Sequence, residues 1–453
     1  MHSLTNTLLL LFGLVAIAAA SPTQQAQKRG VYKVERVRNP NFVSRNGPRA
    51  LYKALTKYNM PVPGHLITKI NSQNEELLSK REPRRRKGMG KGRQGGNGAA
   101  AAGGAGAAGG NAAQQAATAV NKNGTGVVAA VPEANDVEYL APVNIGGQVV
   151  NLDFDTGSSD LWVFNTQLSA AQSTGHNLFD PQSSSTFQLM DGAQFEISYG
   201  DGSGAAGNVG TDVVNIGGAE VQAQAVELAQ QVSDSFVQDT STDGLLGLAF
   251  STINTVQPQA QKTFFDNVMD SLAQPLFTAD LKHAVAGTYE FGNIDTTKFT
   301  GAMTFVDIDN SNGFWQFTSD QFAVDGGAAQ TSTAGAQAIA DTGTTLLLTD
   351  PAVATAYYAQ VQGAVDDQQE GGFTVPCDAT LPDLQLAVGG AMATVKGTDL
   401  NFAPVDAAGT TCFGGVQGTT SDIQIYGDIF FKSNFVVFNG GNNTLGFASH
   451  SSA

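Results

Sequence analysis

The 453-residue sequence carries little charge and almost no cysteine, and beyond Lys122 it has no arginine at all. Charged residues make up 14% of the chain while glycine alone contributes 53 positions. That balance disfavours a helical bundle and fits an all-β chain with many turns, and the length leaves room for two or three domains. The two cysteines, Cys377 and Cys412, form no Cys-x-x-Cys and have no histidine nearby, so no metal site is expected. In a secreted chain the pair implies one disulfide, Cys377–Cys412, worth roughly 3–4 kcal/mol on a chain-entropy account. There is no His-Glu-x-x-His and no Gly-x-Ser-x-Gly, and past Lys122 the histidines are only His176, His283 and His450. Zinc-protease and serine-hydrolase chemistry are disfavoured accordingly. Long apolar runs are missing too. Residues 8–20 form a 13-residue stretch, too short to span a bilayer comfortably, that closes on Ala18-Ala19-Ala20-Ser21. It reads as a secretory signal over residues 1–20, although no lysine or arginine precedes it. The C-terminus has no hydrophobic tail of the lipid-anchor kind. A soluble, secreted product without a membrane anchor is expected.

What charge there is lies unevenly. Of the 24 lysines and arginines, 19 fall at or before Lys122, against four acids, Glu35, Glu75, Glu76 and Glu82. This segment is +15, and the remainder is −31 with five lysines. A basic arm alone would suggest nucleic acid. Joined to an acidic body it points to an internal electrostatic partner, and no nucleic-acid partner is expected. Residues 21–122 read as a basic propeptide with a helix-like patch near Ala50 to Tyr58. The run Lys80-Arg81-Glu82-Pro83-Arg84-Arg85-Arg86-Lys87 offers a cleavage point to a dibasic-specific processing protease. Residues 88–119 are a Gly/Ala-rich linker that cannot build a core. Gly104, Gly106 and Gly109 within it imitate a dinucleotide fingerprint, but no strand precedes them and no cofactor is expected.

Ordered protein should begin near Val127, with short strands joined by turns. Residues 139–145 and 149–154, linked by Gly146-Gly147, predict a hairpin. Further strands are expected at 195–199, 212–216, 303–308, 314–317 and 434–438. Two helices are expected: 263–272, with Phe264, Val268 and Leu272 on one face, and one capped by Asp350, opened by Pro351 and closed near Gly363.

The hairpin runs into Asp155-Thr156-Gly157, and a second Asp-Thr-Gly stands at Asp341-Thr342-Gly343. Each ends an apolar run and is followed by hydroxyl residues, Ser158-Ser159 and Thr344-Thr345. Gly247 follows Asp155 by 92 residues, in Leu245-Leu246-Gly247, and Gly427 follows Asp341 by 86, in Ile425-Tyr426-Gly427. Two copies of one lobe are implied, over residues 123–299 and 300–453, each holding its Asp loop against a strand whose glycine permits close approach. Packed about a pseudo-twofold axis, the lobes would bring the carboxylates face to face. Carboxylates about 3 Å apart cannot both ionise easily, so the pair keeps one proton across the acid range. The ionised member can take a proton from a water while the protonated one polarises a carbonyl.

The stretches 154–163, 243–250 and 340–348 resemble the pepsin-like aspartic proteases, closest to the secreted fungal aspergillopepsin and penicillopepsin type, and the likeness runs from Val127 to the C-terminus. It implies an all-β, bilobal fold with the cleft between lobes, and a monomeric aspartic endopeptidase acting on protein and peptide substrates. Asp155 and Asp341 would be catalytic. Gly157 and Gly343 would leave room for substrate, Ser158 and Thr344 would donate to the outer carboxylate oxygens, and Thr156 and Thr342 would bond across to the opposing loop. Tyr199-Gly200-Asp201-Gly202-Ser203 would be a flap, with Gly200 and Asp201 on the peptide backbone and Tyr199 bonded to Trp162. Phe236 and Leu245 would line the pocket for the residue before the cut. Asp201 could also pair with a substrate lysine beside the scissile bond. Tyr426 stands where leucine is more usual.

In zymogens of this family a propeptide lysine occupies the catalytic carboxylates, and Lys57-Tyr58 is the candidate here, making the propeptide an intramolecular inhibitor. Candidate glycosylation sites are Asn123 and Asn442. The alternative reading is a catalytically silent peptide-binding or inhibitor relative of the same fold; intact Asp, Thr and Gly in both motifs weigh against it.

Overall fold

The hairpin that carries the first Asp-Thr-Gly forms because two adjacent glycines can turn the chain where side chains would be strained. Gly146 and Gly147 sit at φ 55° and 86°, and the strands Leu140–Ile145 and Gln148–Asp155 pair in register from Ile145↔Gln148 to Leu140↔Asp153. The computed structural model describes residues 32–35, 46–81, 127–128, 139–199, 203–283, 287–333 and 335–451. The predicted signal, the linker 88–119, Asn123, Gly200 and Asp201 lie outside these residues.

The hairpin belongs to a seven-stranded sheet in the order 140–145, 148–155, 244–247, 161–163, 219–232, 204–216 and 188–198, and its first strand also pairs with 204–216. The last three of these strands are 14, 13 and 11 residues long, much longer than the short strands expected at 195–199 and 212–216. Their sequences are rich in Gly, Ala and Gln, so strong β-formers such as Val209 and Val226 are scattered and give no continuous strand pattern. The second half of the body builds a five-stranded sheet, 316–318, 337–340, 423–426, 347–349 and 416–418, flanked by two four-stranded sheets. Cys377 and Cys412 are disulfide-bonded at a Cα–Cα distance of 4.9 Å and join the adjacent inner strands 372–376 and 411–414 of one four-stranded sheet.

A further seven-stranded sheet draws on every part of the chain: 304–307, 444–449, 434–439, 276–280, 288–291, 32–35 and 127–128. The leader strand Tyr32–Glu35 lies antiparallel to Thr288–Phe291. Two leader helices, Gly47–Lys57 and Gly64–Arg81, pack on the body. The first extends the predicted patch and is capped by the Asn46 carboxamide accepting from the Arg49 N–H at 3.0 Å. Leu51, Leu55, Met60, Leu66 and Ile70 are buried in the same apolar core as Phe154, Leu246 and Phe430. In the body, Thr263 caps a shorter α-helix than predicted, Phe264–Val268, which tightens to a 3₁₀ turn over Met269–Ser271. Asp350 and Pro351 open the other helix as expected, but it ends at Tyr358.

Candidate active site

Each Asp-Thr-Gly is held by the same local construction. The strand Gln148–Asp155 runs parallel to Gly244–Gly247, with Asp155 opposite Gly247, and Leu161–Val163 returns antiparallel on the other side of Gly244–Gly247. In the second copy Gln337–Ala340 runs parallel to Ile423–Tyr426, and Leu347–Thr349 returns antiparallel. The glycine after each apolar pair is required by space. A Cβ on Gly247 would lie 2.5 Å from the Ser159 backbone, and one on Gly427 would run into the Thr344 and Leu346 carbonyl oxygens. Tyr426 is fully buried, its ring 5.4 Å from that of Phe317 and its hydroxyl bonded to Ser319. Its apolar body therefore takes the place that leucine usually fills.

The two loops meet through their threonines. Thr156 Oγ1 donates to the Ala340 carbonyl at 2.9 Å and Thr342 Oγ1 to the Phe154 carbonyl at 2.6 Å. The Thr342 and Thr156 N–H groups donate to the opposite hydroxyls at 2.9 and 3.2 Å. This reciprocal lattice fixes the carboxyl groups at the base of the cleft, where Asp155 is 1% exposed and Asp341 is 0%. Gly157 and Gly343 N–H groups donate to the inner oxygens, Asp155 Oδ1 at 2.8 Å and Asp341 Oδ1 at 2.9 Å. Ser158 Oγ donates to the outer Asp155 Oδ2 at 2.6 Å, as its sequence position suggests.

Thr344 departs from the expected symmetry. Its buried hydroxyl makes no well-formed hydrogen bond, although it lies close enough to Asp341 and Tyr58 to act on both, and the outer oxygen Asp341 Oδ2 accepts from Tyr58 Oη at 2.6 Å. The leader occupies the site directly. Lys57 Nζ donates to Asp155 Oδ1 at 2.8 Å and to Asp341 Oδ2 and Oδ1 at 3.0 and 3.1 Å. A Cβ at Gly157 would meet Tyr58 Oη, and one at Gly343 would lie 2.7 Å from Lys57 Nζ. The two motif glycines are thus the space into which Lys57 and Tyr58 fit.

Burial opposes charge on Lys57, but the two carboxylates outweigh it and raise its pKa, so it stays an ammonium. Burial also works to raise the Asp341 carboxyl; Lys57, the hydrogen bond from Asp155, and the nearby Thr344 and Tyr58 hydroxyls outweigh it and hold it at about 2. Asp155 lies above its ordinary value, because burial and the neighbouring Asp341 charge exceed the pull of Lys57. The leader-bound pair therefore protonates first on Asp155.

Trp162 Nε1 donates to Tyr199 Oη at 3.2 Å, and the Phe236 ring stands edge-on to both, at 4.8 Å from Trp162 and 5.7 Å from Tyr199. Leu245 completes this apolar wall. The Tyr199 N–H donates to the Ser203 carbonyl at 2.8 Å, next to the Ser198↔Gly204 pair of the strands 188–198 and 204–216. Asn442 is exposed in the turn before Thr444–Ser449. Among the described residues no group of three His, Cys, Asp or Glu is placed to hold a metal ion.

Sequence reasoning missed the layer beneath the Asp155 loop. Asp160 and Glu227 are buried together there with Asn254, whose Nδ2 lies 3.1 Å from Glu227 Oε1 and 3.3 Å from Asp160 Oδ1. The available signal was a lone acid inside the apolar run Ala225-Val226-Glu227-Leu228-Ala229.

Residues 138–450 match a family profile for eukaryotic aspartyl protease. The chain is 52% identical over 326 residues to penicillopepsin-1 of Penicillium rubens, covering 72% of this chain and 81% of that one. It is 49% identical to aspergillopepsin-1 of Aspergillus flavus over 72% of this chain and 80% of the other. A putative aspergillopepsin A-like aspartic endopeptidase of Aspergillus fumigatus aligns over 99% of this chain and 100% of its own length at 45% identity, leader included. The chain belongs to the eukaryotic aspartyl proteases, as a pepsin-like aspartic endopeptidase of the fungal type.

Proposed function

We propose that the protein is a secreted endopeptidase of acid surroundings, made as a zymogen and cleaving between bulky apolar residues. The observation that carries the zymogen reading is the Lys57 ammonium lodged between Asp155 and Asp341, with Tyr58 on the outer oxygen. In that state no water can sit between the carboxyl groups. Once residues 21–122 are removed, a water takes the position of Nζ. One carboxylate accepts its proton as it attacks the substrate carbonyl, and the other, protonated, donates to the carbonyl oxygen. Gly157 and Gly343 supply the room for peptide, while Ser158 and Thr344 steady the outer oxygens, Thr344 turning to Asp341 after Tyr58 leaves. Phe236, Leu245 and Tyr199 form an apolar pocket suited to a large side chain before the cut. Asp201, which the family likeness assigns to the flap, would admit a lysine there as a second choice. Asn442 is exposed and fits a glycan. The catalytic lobes run over 123–299 and 300–453.

Digestion of haemoglobin at acid pH, with and without pepstatin and with Asp155→Asn, tests the enzyme reading. Activity abolished by both changes is expected. Activity that survives either one contradicts the assignment, and no activity in the processed wild type favours a silent peptide-binding relative.

A further inference from the structure

The loop that carries Asp155 is stitched to the chain beneath it along its whole length. Leu248 N–H donates to the Asp155 carbonyl at 2.7 Å, Ala249 N–H to the Ser158 carbonyl at 2.9 Å, and Gly247 N–H to the Asp160 carbonyl at 2.9 Å. Ser159 Oγ donates to the Phe250 carbonyl at 2.7 Å and Asn254 Nδ2 to the Ser159 carbonyl at 3.1 Å. At the foot of this seam the Asp160 carboxyl meets that of Glu227. Each residue is 1% exposed, and Glu227 stands opposite Trp162 in the sheet.

The donors here do not suffice for two anions. Thr255 N–H and Oγ1 donate to Asp160 Oδ1 at 3.0 and 2.7 Å. Asn254 has two amide protons to share among Asp160 Oδ1, Glu227 Oε1 and the Ser159 carbonyl. Asp160 Oδ2 and Glu227 Oε2 are both buried and receive no protein N–H or hydroxyl. The two carboxyl groups lie together instead, bridged by the single Asn254 amide, which is 3.3 Å from Asp160 Oδ1 and 3.1 Å from Glu227 Oε1. Two neighbouring carboxyls, each 1% exposed and sharing one donor, resist double ionisation, which favours a proton on one of them. Among the described residues no lysine, arginine or histidine is paired with either group. The ionisable neighbours are Asp155, which acts on Asp160, and the Tyr199 hydroxyl, whose own pKa the two carboxyls help to raise. Across the sheet Glu227 faces Trp162 and Val209, and the segment below contributes Asn254 and Thr255, none of them ionisable.

We propose that Glu227 is a positioning residue for the Asp155 loop that works only while the Glu227–Asp160 pair keeps a proton, and that losing this proton as pH rises releases the loop and inactivates the enzyme. Burial, then the Asp160 charge, push the Glu227 carboxyl well above its ordinary 4.5, and burial raises Asp160 too. The sign follows. A carboxyl whose folded pKa exceeds its unfolded one stabilises the fold fully below the unfolded value. That contribution is lost as pH rises from about 4.5 through the folded pKa, when the proton goes to solvent and two anions remain buried. The inference rests on Asp155 belonging to the reacting pair, but the structural readouts below need no activity.

The test uses acid-converted enzyme held for a fixed time at pH values from 4 to 8 and then assayed at acid pH. The reversible titration of the Asp155–Asp341 pair does not register in such a return assay. Glu227→Ala should lose at least ten-fold in kcat at acid pH, with KM close to wild type. Glu227→Gln, which restores an amide donor to Asp160 but does not titrate, should recover most of that loss and move the inactivation midpoint up by about one pH unit or more. An unchanged midpoint in a folded Glu227→Gln enzyme, or a kcat as low as that of Glu227→Ala, overturns the proposal. Should neither variant fold, infrared spectroscopy of the wild type decides. A protonated carboxylic-acid band that persists above pH 5, and vanishes together with the near-ultraviolet circular dichroism of the packed aromatics, is expected. A band already absent at pH 5 overturns it.

Discussion

Lys57 acts on the carboxyl pair as a fixed counter-ion, and Tyr58 takes the hydrogen bond for which Thr344 is placed. On the zymogen reading proposed above both leave with the leader, so the geometry of the working pair would rest on what remains: Gly157, Gly343, Ser158 and the crossed threonines. Asp155→Asn in the processed enzyme removes a member of the pair and should lower kcat by at least about 10³-fold, the scale of a lost acid–base step, with KM little changed. Steady-state kinetics on a chromogenic peptide checks this. Ser158→Ala removes a charge-assisted bond worth about 1.5–3 kcal/mol, leaving Asp155 less stable as an anion. Its kcat should fall about ten-fold and the acid limb of its pH profile should move upward.

The two strand–loop–strand units show why so much of the site could be read in advance. Each depends on local pattern: an apolar strand, Asp-Thr-Gly, and a second apolar pair ending in glycine. The glycine has a steric reason, since a Cβ at Gly247 has no space beside Ser159. Gly247→Ala should therefore cost about 1–3 kcal/mol or more and reduce secreted yield. Gly390→Ala, where nothing lies within 4 Å of the added Cβ, should not, as thermal melts of the two would reveal. Replacing Cys377 and Cys412 together by serine should cost roughly 3–4 kcal/mol, seen as a Tm lower by about 2–4 °C for each of these. What could not be read had no local pattern. The length of the strands Gly204–Ile216 and Ala219–Val232 comes from pairing with each other, although their Gly, Ala and Gln residues are weak β-formers. The helix Gly64–Arg81 lacks a strong apolar stripe and owes its place to Leu66 and Ile70 in the core. Asp160 and Glu227 are adjacent only because Leu161–Val163 pairs with a distant strand.

Across the whole molecule, the +15 leader and the −31 body are joined by more than net charge. Leader side chains enter the main core, Lys69 pairs with Glu370 at 2.8 Å on the rim, and Lys57 closes the site. Acid weakens the electrostatic part alone. With Asp341 held at about 2, below its ordinary 3.8, the Lys57–Asp341 contact is lost only as pH falls toward 2, while the raised Asp155 carboxyl takes its proton first and weakens the Lys57–Asp155 contact at higher pH. Other carboxylates of the body neutralise over the same range while lysine and arginine keep their charge. Lys57→Met removes the counter-ion and should raise the pH at which the leader comes away. The central claim is that the carboxyl pair is made under guard and freed by acid. Its most direct measurement is the rate at which purified proenzyme converts itself at each pH from 2 to 7, followed by N-terminal sequencing, with Asp155→Asn alongside. Conversion that begins at about pH 3–4, is absent at pH 7 and fails in Asp155→Asn is the predicted result. A rate independent of pH, or undiminished in Asp155→Asn, would contradict it.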